Sequence, residues 1–378
     1  MGKTYLLAPD SFKESMTAKE VCEAIEIGIK RAVPNAKFIH VPMADGGEGT
    51  VQSLVDATNG QLFEKEVMGP LGTPVMAQFG ILGDGKTGVI EMSSASGIQY
   101  TTKETKNPLI ATTYGTGELI KECINRGLKE IILGVGGSAT NDGGTGMAAA
   151  LGYKFLDASG NVLPVGGGFL DQLDRIDCSE VIKGLDELHI LVASDVTNPL
   201  CGETGASAVF GPQKGATPEM VAILDGNLRH YGEIVKEQLG VDIIDTPGAG
   251  GAGGLGAGLL AFTNSKMSKG IDIVIKYTKL KEKLVLADYC ITGEGGIDFQ
   301  TKFGKAPFGV AQAAKSINAD MKVIALAGYV GKGVETLYET GFDAIFGIVP
   351  GASDLETLLA NGKENVVRTS ENIARLLS

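Results

Sequence analysis

The chain has 378 residues, of which 43% are hydrophobic and 21% are charged, a globular composition with no sign of disorder. A formal net charge of −12 argues against nucleic-acid and anionic-membrane partners, because both require a basic face. The five cysteines are far apart and the three histidines are isolated, which predicts reduced thiols and argues against a histidine-rich zinc site. With no signal-peptide pattern after Met1 and no apolar stretch of membrane-spanning length, we expect a soluble cytoplasmic protein.

Strands and helices alternate at the start of the chain. Short apolar runs predict strands at residues 5–7 and 38–41. Between them, residues 17–32 have the spacing of an amphipathic helix. Thr17 followed by Glu20 matches a capping box, so the helix is predicted to begin at Thr17.

The middle of the chain has a different pattern. From Glu66 to Ser94, apolar residues alternate among Gly-Pro turns, which predicts antiparallel strands. Further strand-like runs lie at residues 130–135 and 189–192, and helix-forming sequence lies at residues 116–126 and after Thr217.

From Tyr289 onward, strand and helix alternate again. The two ends of the chain together supply about five strands, close to the usual size of a sheet, whereas each end alone supplies few. We therefore predict a discontinuous outer domain of residues 1–65 plus 285–378 and an inserted domain of residues 66–284. The predicted C-terminal strands are 289–291, 322–327 and 344–349, and the predicted helices are 305–316, 334–340, 355–359 and 364–377.

Five loops of small residues each begin where a predicted strand ends, and each carries at least one Asp or Glu. Because ligands of open α/β sheets lie outside the carboxyl ends of the strands, we expect these loops to converge on one cleft. The loop from Gly134 to Gly146 leads from a strand into a helix, which places free backbone N–H groups beside the positive end of a helix dipole. It predicts a phosphate site, with a tight strand-to-helix turn as the alternative. The loops are residues 8–13, 42–50, 134–146, 193–199 and 292–301.

Two motif matches are weak. Gly80 to Thr87 fits the Walker A pattern, but the sequence after it alternates as a strand and Asp84-Gly85 is a turn signal, so a hairpin is favoured. The run from Gly248 to Gly258 contains G-x-G-x-x-G, yet no clear strand precedes it. Close helix packing or a loop that approaches phosphate explains that run as well as a dinucleotide fingerprint does.

The loops carry the groups that phosphoryl transfer needs. Transfer from a magnesium nucleotide requires backbone donors for the phosphates, a carboxylate for the metal, another for the acceptor proton, and a cation. Each Asp has a helix cap or turn role as its alternative, and for Asp142 the two interpretations stand level. The candidate phosphate donors are Gly136, Gly137, Ser138 and Asn141, the carboxylates are Asp45, Asp142, Asp195, Glu294 and Asp298, and the cations are Lys13, Lys214, Lys302 and Lys305.

Together these motifs resemble the bacterial glycerate kinase family, whose members phosphorylate D-glycerate with ATP. The resemblance implies an α/β fold of two α/β domains, with a Rossmann-like parallel-sheet domain built from both chain ends, an inserted mixed α/β domain, and the active site in the cleft between them. It extends in collinear order over nearly the whole chain and is carried by APDSFK, PMADGGEGT, IEMSSASG, YGTGELI, GGSATNDGG, DVTNPLCG, VFGPQKGA, GAGGLGAGLLAF and TGEG.

Two positions depart from the family pattern. Many relatives have Gly where Glu14 stands and Arg where Gly296 stands. If that Arg binds phosphate or the glycerate carboxylate, another cation must replace it here, and we expect Lys302 or Lys305 to do so.

The resemblance implies D-glycerate as substrate, 2-phosphoglycerate as product, and ATP with Mg²⁺ as cofactors. Whether Asp195 accepts the hydroxyl proton or holds magnesium stays open. The predicted catalytic residues are Asp195, Asp298 and Lys13; the substrate-binding residues are Asp10, Ser11, Lys13, Asp45, Gly46, Gly47 and Lys305; the nucleotide- or phosphate-binding residues are Gly136, Gly137, Ser138, Asn141, Asp142, Gly293 and Glu294; and the metal ligands are Asp45, Asp195 and Glu294.

The sequence leaves other functions open. They are a kinase for another small hydroxy acid or for the 3-hydroxyl of glycerate, a non-catalytic phosphometabolite sensor, and a nicotinamide-dependent dehydrogenase. No DNA-binding module or basic patch accompanies the core, which argues against a sensor. The oligomeric state is also open, with a homodimer among the options.

Overall fold

The computed structural model describes residues 2–378, which form two compact units. The first unit contains the residues up to Asp45 together with Gln52–Gly60 and Lys269–Ser378, and the second contains Gly46–Val51 and Gln61–Ser268. The predicted α/β class is confirmed, with a parallel sheet in the first unit and a mixed sheet in the second. The boundaries near residues 65 and 285 stay predictions.

Thirteen strands lie within the described residues. They are β1 (Thr4–Leu7), β2 (Lys37–His40), β3 (Gln61–Met68), β4 (Pro74–Ile81), β5 (Thr87–Glu91), β6 (Glu130–Gly134), β7 (Lys154–Leu156), β8 (Arg175–Asp177), β9 (His189–Ala193), β10 (Asn264–Ser268), β11 (Tyr289–Ile297), β12 (Lys322–Val330) and β13 (Ala344–Gly347).

Thirteen α-helices accompany these strands in the same part of the chain. They are α1 (Ala18–Ala32), α2 (Thr50–Thr58), α3 (Ser93–Ser96), α4 (Tyr114–Asn125), α5 (Thr145–Ala150), α6 (Ala206–Phe210), α7 (Pro218–Leu239), α8 (Gly251–Phe262), α9 (Gly270–Tyr277), α10 (Leu280–Leu284), α11 (Ala306–Ile317), α12 (Leu355–Ala360) and α13 (Gly362–Leu377). None of the helices described between residues 2 and 378 is long and apolar enough to cross a membrane.

The first unit is built on a five-stranded parallel sheet. Its strand order is β13-β12-β11-β1-β2, so the order reverses between β1 and β11. At the reversal, Tyr5 pairs with Tyr289 and Leu7 with Ile291. In open α/β sheets a reversal of this kind creates a crevice at the carboxyl ends of the strands, and ligands bind there. The residues after Leu7 therefore lie at the ligand edge of this sheet.

Helices α1 and α13 pack against each other in the first unit. The predicted capping box of α1 is confirmed, because Glu20 N donates to Thr17 Oγ1 at 3.3 Å and Thr17 N donates to Glu20 Oε2 at 2.8 Å. The helices approach so closely at Gly28 that a Cβ there would lie 2.2 Å from the carbonyl oxygen of Val367. The buried core of this unit includes Leu7, Val21, Ile25, Ile29, Ile291, Leu326, Val366 and Ile373.

The second unit is built on a six-stranded mixed sheet with the order β10-β9-β6-β5-β4-β3. Strands β3, β4 and β5 pair antiparallel, as predicted, and β5, β6, β9 and β10 pair parallel. Parallel pairing places the loops after β5, β6 and β9 at one edge of the sheet. Strands β7 and β8 form a separate antiparallel pair. The core on this sheet includes Phe79, Leu119, Ile131, Leu133, Met147, Val192 and Leu255, and a neighbouring cluster includes Tyr231, Val235 and Phe262.

The Walker A match is a hairpin, which confirms the favoured interpretation. Strands β4 and β5 pair antiparallel, with Phe79 opposite Ile90. In the turn, Asp84 Oδ1 accepts hydrogen bonds from the N–H groups of Lys86 at 2.8 Å and Thr87 at 3.0 Å. No helix begins at this Lys-Thr, so the segment lacks the helix N-terminus that a P-loop requires.

The glycine-rich start of α8 serves close backbone packing. Ala252, Gly253 and Gly254 have left-handed φ angles of 53°, 69° and 89°, so the helix is kinked there. A Cβ on Gly254 would lie 2.8 Å from the Cα of Gly143. The glycines are thus required by contact with the loop after β6, and this favours the packing alternative over a dinucleotide fingerprint.

Strand β11 is longer than predicted. Its pairing with β12 continues to Ile297 opposite Val330, beyond the predicted end at Ile291. Glycines interrupt the apolar pattern there, and Gly293 is required by packing because a Cβ would lie 2.4 Å from Leu326 O. Glu294 consequently lies on a strand instead of in the predicted loop. The segment predicted as a helix at residues 334–340 is a 3-10 helix.

Candidate active site

Backbone pairing holds Asp10 at the reversal point of the first sheet. Its N–H donates to Gly293 O at 2.8 Å, and Thr292 Oγ1 donates to Ala8 O at 2.8 Å. The Ser11 N–H donates to Asp10 Oδ1 at 2.6 Å. The loop after β1 is therefore tied to β11, and the two predicted substrate-binding residues Asp10 and Ser11 lie beside Gly293.

Carboxylates accumulate at this edge. Burial raises the pKa of Asp10 from 3.8 to about 7, and the negative charges of Asp45 and Glu294 add to the rise, while the hydrogen bond from Ser11 opposes it. Close like charges are normally tolerated only when a proton or a cation neutralises one of them. The predicted residues Asp10, Asp45 and Glu294 thus form an electrostatically coupled group within the first unit.

Lys305 is paired with Glu294. Lys305 Nζ donates to Glu294 Oε1 at 2.8 Å and to Gly296 O at 3.2 Å, and Thr301 Oγ1 lies 3.4 Å from the same Oε1. Glu294 is only 8% exposed. Burial raises the pKa of Glu294, Lys305 opposes that rise, and the charge of Asp45 adds to it. Of the two cations expected to replace the family's Arg, Lys305 is the one beside Gly296.

Gly296 itself has room for a larger side chain, because a Cβ there would meet nothing within 4 Å. The neighbouring Asp298 caps the 3-10 helix at Phe299–Phe303, with its Oδ1 accepting from Gln300 N at 2.8 Å. This is the capping alternative for Asp298, and its catalytic role stays a prediction. Lys302 lies with its Nζ 5.3 Å from the ring centre of Phe303.

Lys13 lies in a tight turn after Asp10. Phe12 N donates to Met16 O at 2.9 Å and Met16 N donates back to Phe12 O at 2.8 Å, which leaves Lys13 exposed at the tip. Glu14 in this turn has φ of 62°, the left-handed region that favours glycine. The backbone at position 14 therefore suits glycine, the residue that the resemblance leads us to expect there.

In the second unit, the loop after β6 presents backbone donors. Gly136 and Gly137 are exposed, and Gly137 has φ of 74°. Within residues 2–378, the N–H groups of Gly136, Gly137 and Ser138 donate to no protein acceptor. The carbonyl side of the loop is anchored instead, because Ile98 N donates to Gly137 O at 2.9 Å. Successive N–H groups without protein acceptors on a small-residue loop are the kind of donors that bind phosphate.

Asp142 is fully buried at the end of this loop. It accepts hydrogen bonds from Thr113 N and Thr113 Oγ1, both at 2.8 Å, and from the N–H groups of Gly144 at 3.1 Å and Gly146 at 3.2 Å. Burial raises the pKa of Asp142, and these hydrogen bonds oppose the rise. The contacts are those of the capping alternative, since they hold the start of α5. A direct contact of Asp142 with nucleotide stays a prediction.

Asn141 and Lys214 lie beneath the loop. Asn141 Nδ2 donates to Ser207 Oγ at 2.9 Å, while its buried Oδ1 has no partner among the described residues. Lys214 is 2% exposed and its Nζ donates to Thr140 O at 2.6 Å. Burial lowers the pKa of Lys214 to about 7, against the opposing charge of Asp142. The sequence identified Lys214 as a nearby cation, but not as a buried one.

Two further predicted segments lie along the edge of the second sheet. A Cβ on Gly136 would lie 3.7 Å from the Cα of Gly47, and a Cβ on Gly134 would lie 2.8 Å from Gly46 O. Asp195 follows β9, is exposed, and comes after Ser194, whose N–H donates to Ser268 O at 3.0 Å. The structure thus brings Gly46 and Gly47 beside the phosphate-loop glycines.

Glu91 was not predicted from the sequence. It lies at the end of β5, and its Oε1 accepts from Val51 N at 2.9 Å, which caps the start of α2. Burial raises the pKa of Glu91, hydrogen bonds from the helix start oppose the rise, and the charge of Glu48 adds to it. The available signal was a single acidic residue closing an otherwise apolar strand.

The predicted magnesium ligands fit a metal that binds together with its nucleotide. Within residues 2–378, no three His, Cys, Asp or Glu side chains converge as a ready-made metal site. Mg²⁺ usually takes one or two carboxylates and completes its shell with waters and substrate phosphates. Asp45 and Glu294 lie in the first unit, where their charges add to the burial that raises the pKa of Asp10, and Asp195 lies in the second.

N–H groups without acceptors among the described residues on a loop after a parallel strand, and coupled carboxylates beside a lysine at a sheet reversal, are features expected of an α/β kinase of small molecules. The model of the glycerate kinase family matches residues 5–378. The chain therefore belongs to the glycerate kinase family and is an enzyme of the kinase class.

Similar proteins support this assignment over nearly their full lengths. The glycerate kinase of Bacillus subtilis strain 168 is 51% identical over 369 residues, covering 98% of this chain and 96% of the relative. The glycerate 2-kinase of Escherichia coli strain K12 is 47% identical over 373 residues, covering 99% and 97%. A crystal structure described as that of glycerate kinase 2 from Salmonella typhimurium LT2 matches with a TM-score of 0.91 and 46% identity, covering 100% of this chain and 98% of that one.

Proposed function

We propose that the chain transfers the γ-phosphoryl group of ATP to the 2-hydroxyl of D-glycerate and releases 2-phosphoglycerate. The observation that carries the proposal is the row of N–H groups at Gly136, Gly137 and Ser138, which have no protein acceptor within residues 2–378. The family assignment supplies the acceptor, and the relative from Escherichia coli is described as a glycerate 2-kinase.

The loop after β6 receives the nucleotide phosphates. Gly136, Gly137 and Ser138 donate through their backbone N–H groups, and the Oδ1 of Asn141, an acceptor, can take a hydrogen bond from a hydroxyl or amino group of the nucleotide. Asp142 supports the loop from within, as its four hydrogen bonds from Thr113, Gly144 and Gly146 indicate. Gly293 and Glu294 remain the other proposed phosphate-side residues.

The edge of the first sheet receives glycerate. A cation and hydroxyl and amide donors suit its carboxylate, and we assign that binding to Ser11, Lys13 and Lys305, together with Gly46 and Gly47. Asp10, with a pKa of about 7, can accept a hydrogen bond from a substrate hydroxyl when ionised or donate one when protonated.

Magnesium would be held by Asp45, Asp195 and Glu294. When bound, the ion would supply positive charge that offsets the negative charge developing on the phosphates during transfer. Asp195 is proposed either as a metal ligand or as the group that takes the hydroxyl proton, and Asp298 and Lys13 as further catalytic residues. The scattered cysteines support a cytoplasmic location.

A coupled assay of ADP release tests the proposal. D-glycerate should support turnover well above L-glycerate, glycolate and lactate, with dependence on ATP and Mg²⁺. Phosphorus NMR of the product should give the 2-phosphoglycerate signal, and a signal of 3-phosphoglycerate alone would reject the regiochemistry. The same mixture with NAD in place of ATP serves as the control for a dehydrogenase and should show no absorbance change.

A further inference from the structure

The loop that we propose to bind phosphate contacts a buried lysine. Lys214 closes a 3-10 turn at Pro212–Lys214, directly after α6, and its side chain runs inward to the Thr140 carbonyl. Thr140 is fully buried, and Gly253 packs on the same carbonyl so closely that a Cβ would lie 1.9 Å from it. Water therefore has no access to the carbonyl from the side of Gly253, and Lys214 supplies its hydrogen bond.

The hydrogen bond to Thr140 does not by itself explain why a lysine is buried at this position. Burying an ammonium is far less favourable than burying a neutral donor, and a backbone N–H or an amide would satisfy one carbonyl. An ammonium also has three donors, of which Thr140 takes one. The nearby opposite charge is that of Asp142, whose oxygens already accept hydrogen bonds from Thr113, Gly144 and Gly146. The negative charge of Asp142 thus offsets the burial of the ammonium only in part, and the rest of that cost is not accounted for by local structure.

A phosphate chain at the loop would account for it. Gly136 and Gly137, whose N–H groups have no protein acceptor within residues 2–378, are the exposed part of the loop, and Ser138, Thr140 and Asn141 form its buried part. A cation beneath a set of N–H donors strengthens their attraction for an anion, because the buried charge is poorly screened.

We propose that Lys214 is a positioning residue for the phosphoryl donor: it fixes the Gly136–Asn141 loop through the Thr140 carbonyl and adds positive charge beneath the nucleotide phosphates. The inference rests on the proposed function, because it takes this loop as the nucleotide site. Lys214 acts through the loop and does not itself touch substrate.

Replacement of Lys214 by Met tests this, because Met keeps most of the volume and removes both charge and hydrogen bond. The matched control is Lys106→Met. Lys106 donates to Gln213 O at 3.2 Å, in the same turn, but this hydrogen bond is exposed to solvent. Calorimetry would measure Kd for MgATP without turnover, and steady-state kinetics would measure KM for D-glycerate.

We expect the Lys214→Met variant to weaken MgATP binding roughly 10- to 100-fold, the range for loss of a hydrogen bond to a charged group. The KM for glycerate should stay within about threefold, well under that loss, and Lys106→Met should bind MgATP like the wild type. If the Met variant does not fold, Lys214→Gln, which keeps a neutral donor, should show the same selective loss.

Wild-type MgATP affinity in either folded Lys214 variant would overturn the proposal, even with a lowered Tm, because Lys214 would then be structural only. An equal loss of affinity for ATP and glycerate would also overturn it. Failure of the wild-type protein to phosphorylate glycerate, with selective loss of MgATP binding in the variant, would reject the proposed acceptor and keep the role of Lys214.

Discussion

Replacement of Asp10 by Asn should make the protein more stable and less active. In the folded chain the pKa of Asp10 rises from 3.8 to about 7, through burial first and then repulsion by Asp45 and Glu294. A group with a raised pKa holds its proton more tightly in the folded state, so stability is full below pH 3.8 and is lost as the pH rises toward about 7. At about 1.4 kcal/mol per pKa unit, the ionised carboxylate lowers the free energy of unfolding by about 4 kcal/mol above pH 7.

Asn has the same shape, can still accept the hydrogen bond from Ser11, and carries no charge. We therefore expect Asp10→Asn to raise the free energy of unfolding by about 2–4 kcal/mol at pH 8 and by far less at pH 4. Urea denaturation with EDTA at both values measures this. Asp84→Asn is the control of opposite sign, since its turn hydrogen bonds lower the pKa of Asp84 despite partial burial. An Asp10→Asn variant no more stable than wild type at pH 8 would refute the electrostatic account of this site.

Gly137→Val should abolish nucleotide binding while the fold survives, whereas Gly85→Val, with a similar φ of 67° and open space around it, should bind normally; wild-type MgATP affinity by calorimetry in the first variant would contradict the phosphate-loop assignment. Glu14→Gly should be about 1 kcal/mol more stable than Glu14→Ala in urea denaturation, because only Gly removes the left-handed strain. Asp195→Asn should lower kcat roughly 100- to 10,000-fold if Asp195 is the base, with an added magnesium requirement if it is a ligand, and turnover within about threefold at saturating magnesium would exclude both roles. Between about pH 7 and 10.5, the free energy of unfolding of the wild type should rise with pH relative to that of Lys214→Met. The reason is that burial lowers the pKa of Lys214 in the folded state, so the unfolded chain binds more protons in this range. Equal pH slopes for the two proteins would show that burial does not destabilise the charged form of Lys214.

Local signals in the sequence were enough for most of the fold. Thr17 and Glu20 fixed the start of α1, and alternation around Val75 and Phe79 predicted the antiparallel strands. The end of β11 could not be predicted from the sequence. Gly293 is required there because a side chain would collide with the Leu326 carbonyl, and a glycine contributes nothing to the hydrophobic pattern. Where close backbone packing requires glycines, as in β11, the alternation of apolar and polar residues that predicts a strand is lost.

The sequence was enough to predict which residue types the candidate site contains, but not how their charges affect one another's pKa. The sequence placed Asp10 and Glu294 at the ends of separate predicted strands, 284 positions apart, and nothing local says that the charge of Glu294 adds to the rise in the pKa of Asp10. Glu91 was missed for a similar reason. Its role depends on a partner at Val51, which lies far away along the chain and belongs to a helix start that no motif marks.

Asp10 and Lys214 reach the same pKa from opposite directions. Burial moves the carboxyl group of Asp10 up to about 7 and the ammonium of Lys214 down to about 7, so each is held close to neutrality at its own sheet edge. Neither pKa shift stabilises the protein without its ligands, because burial disfavours the charged form of each group. A cation beside Asp10 and an anion above Lys214 would each restore the charged form, and binding of those ligands would be coupled to release of a proton at Asp10 and uptake of one at Lys214. Each buried group is therefore suited to a ligand of opposite charge, and binding of that ligand would offset the free energy that the charged form loses on burial.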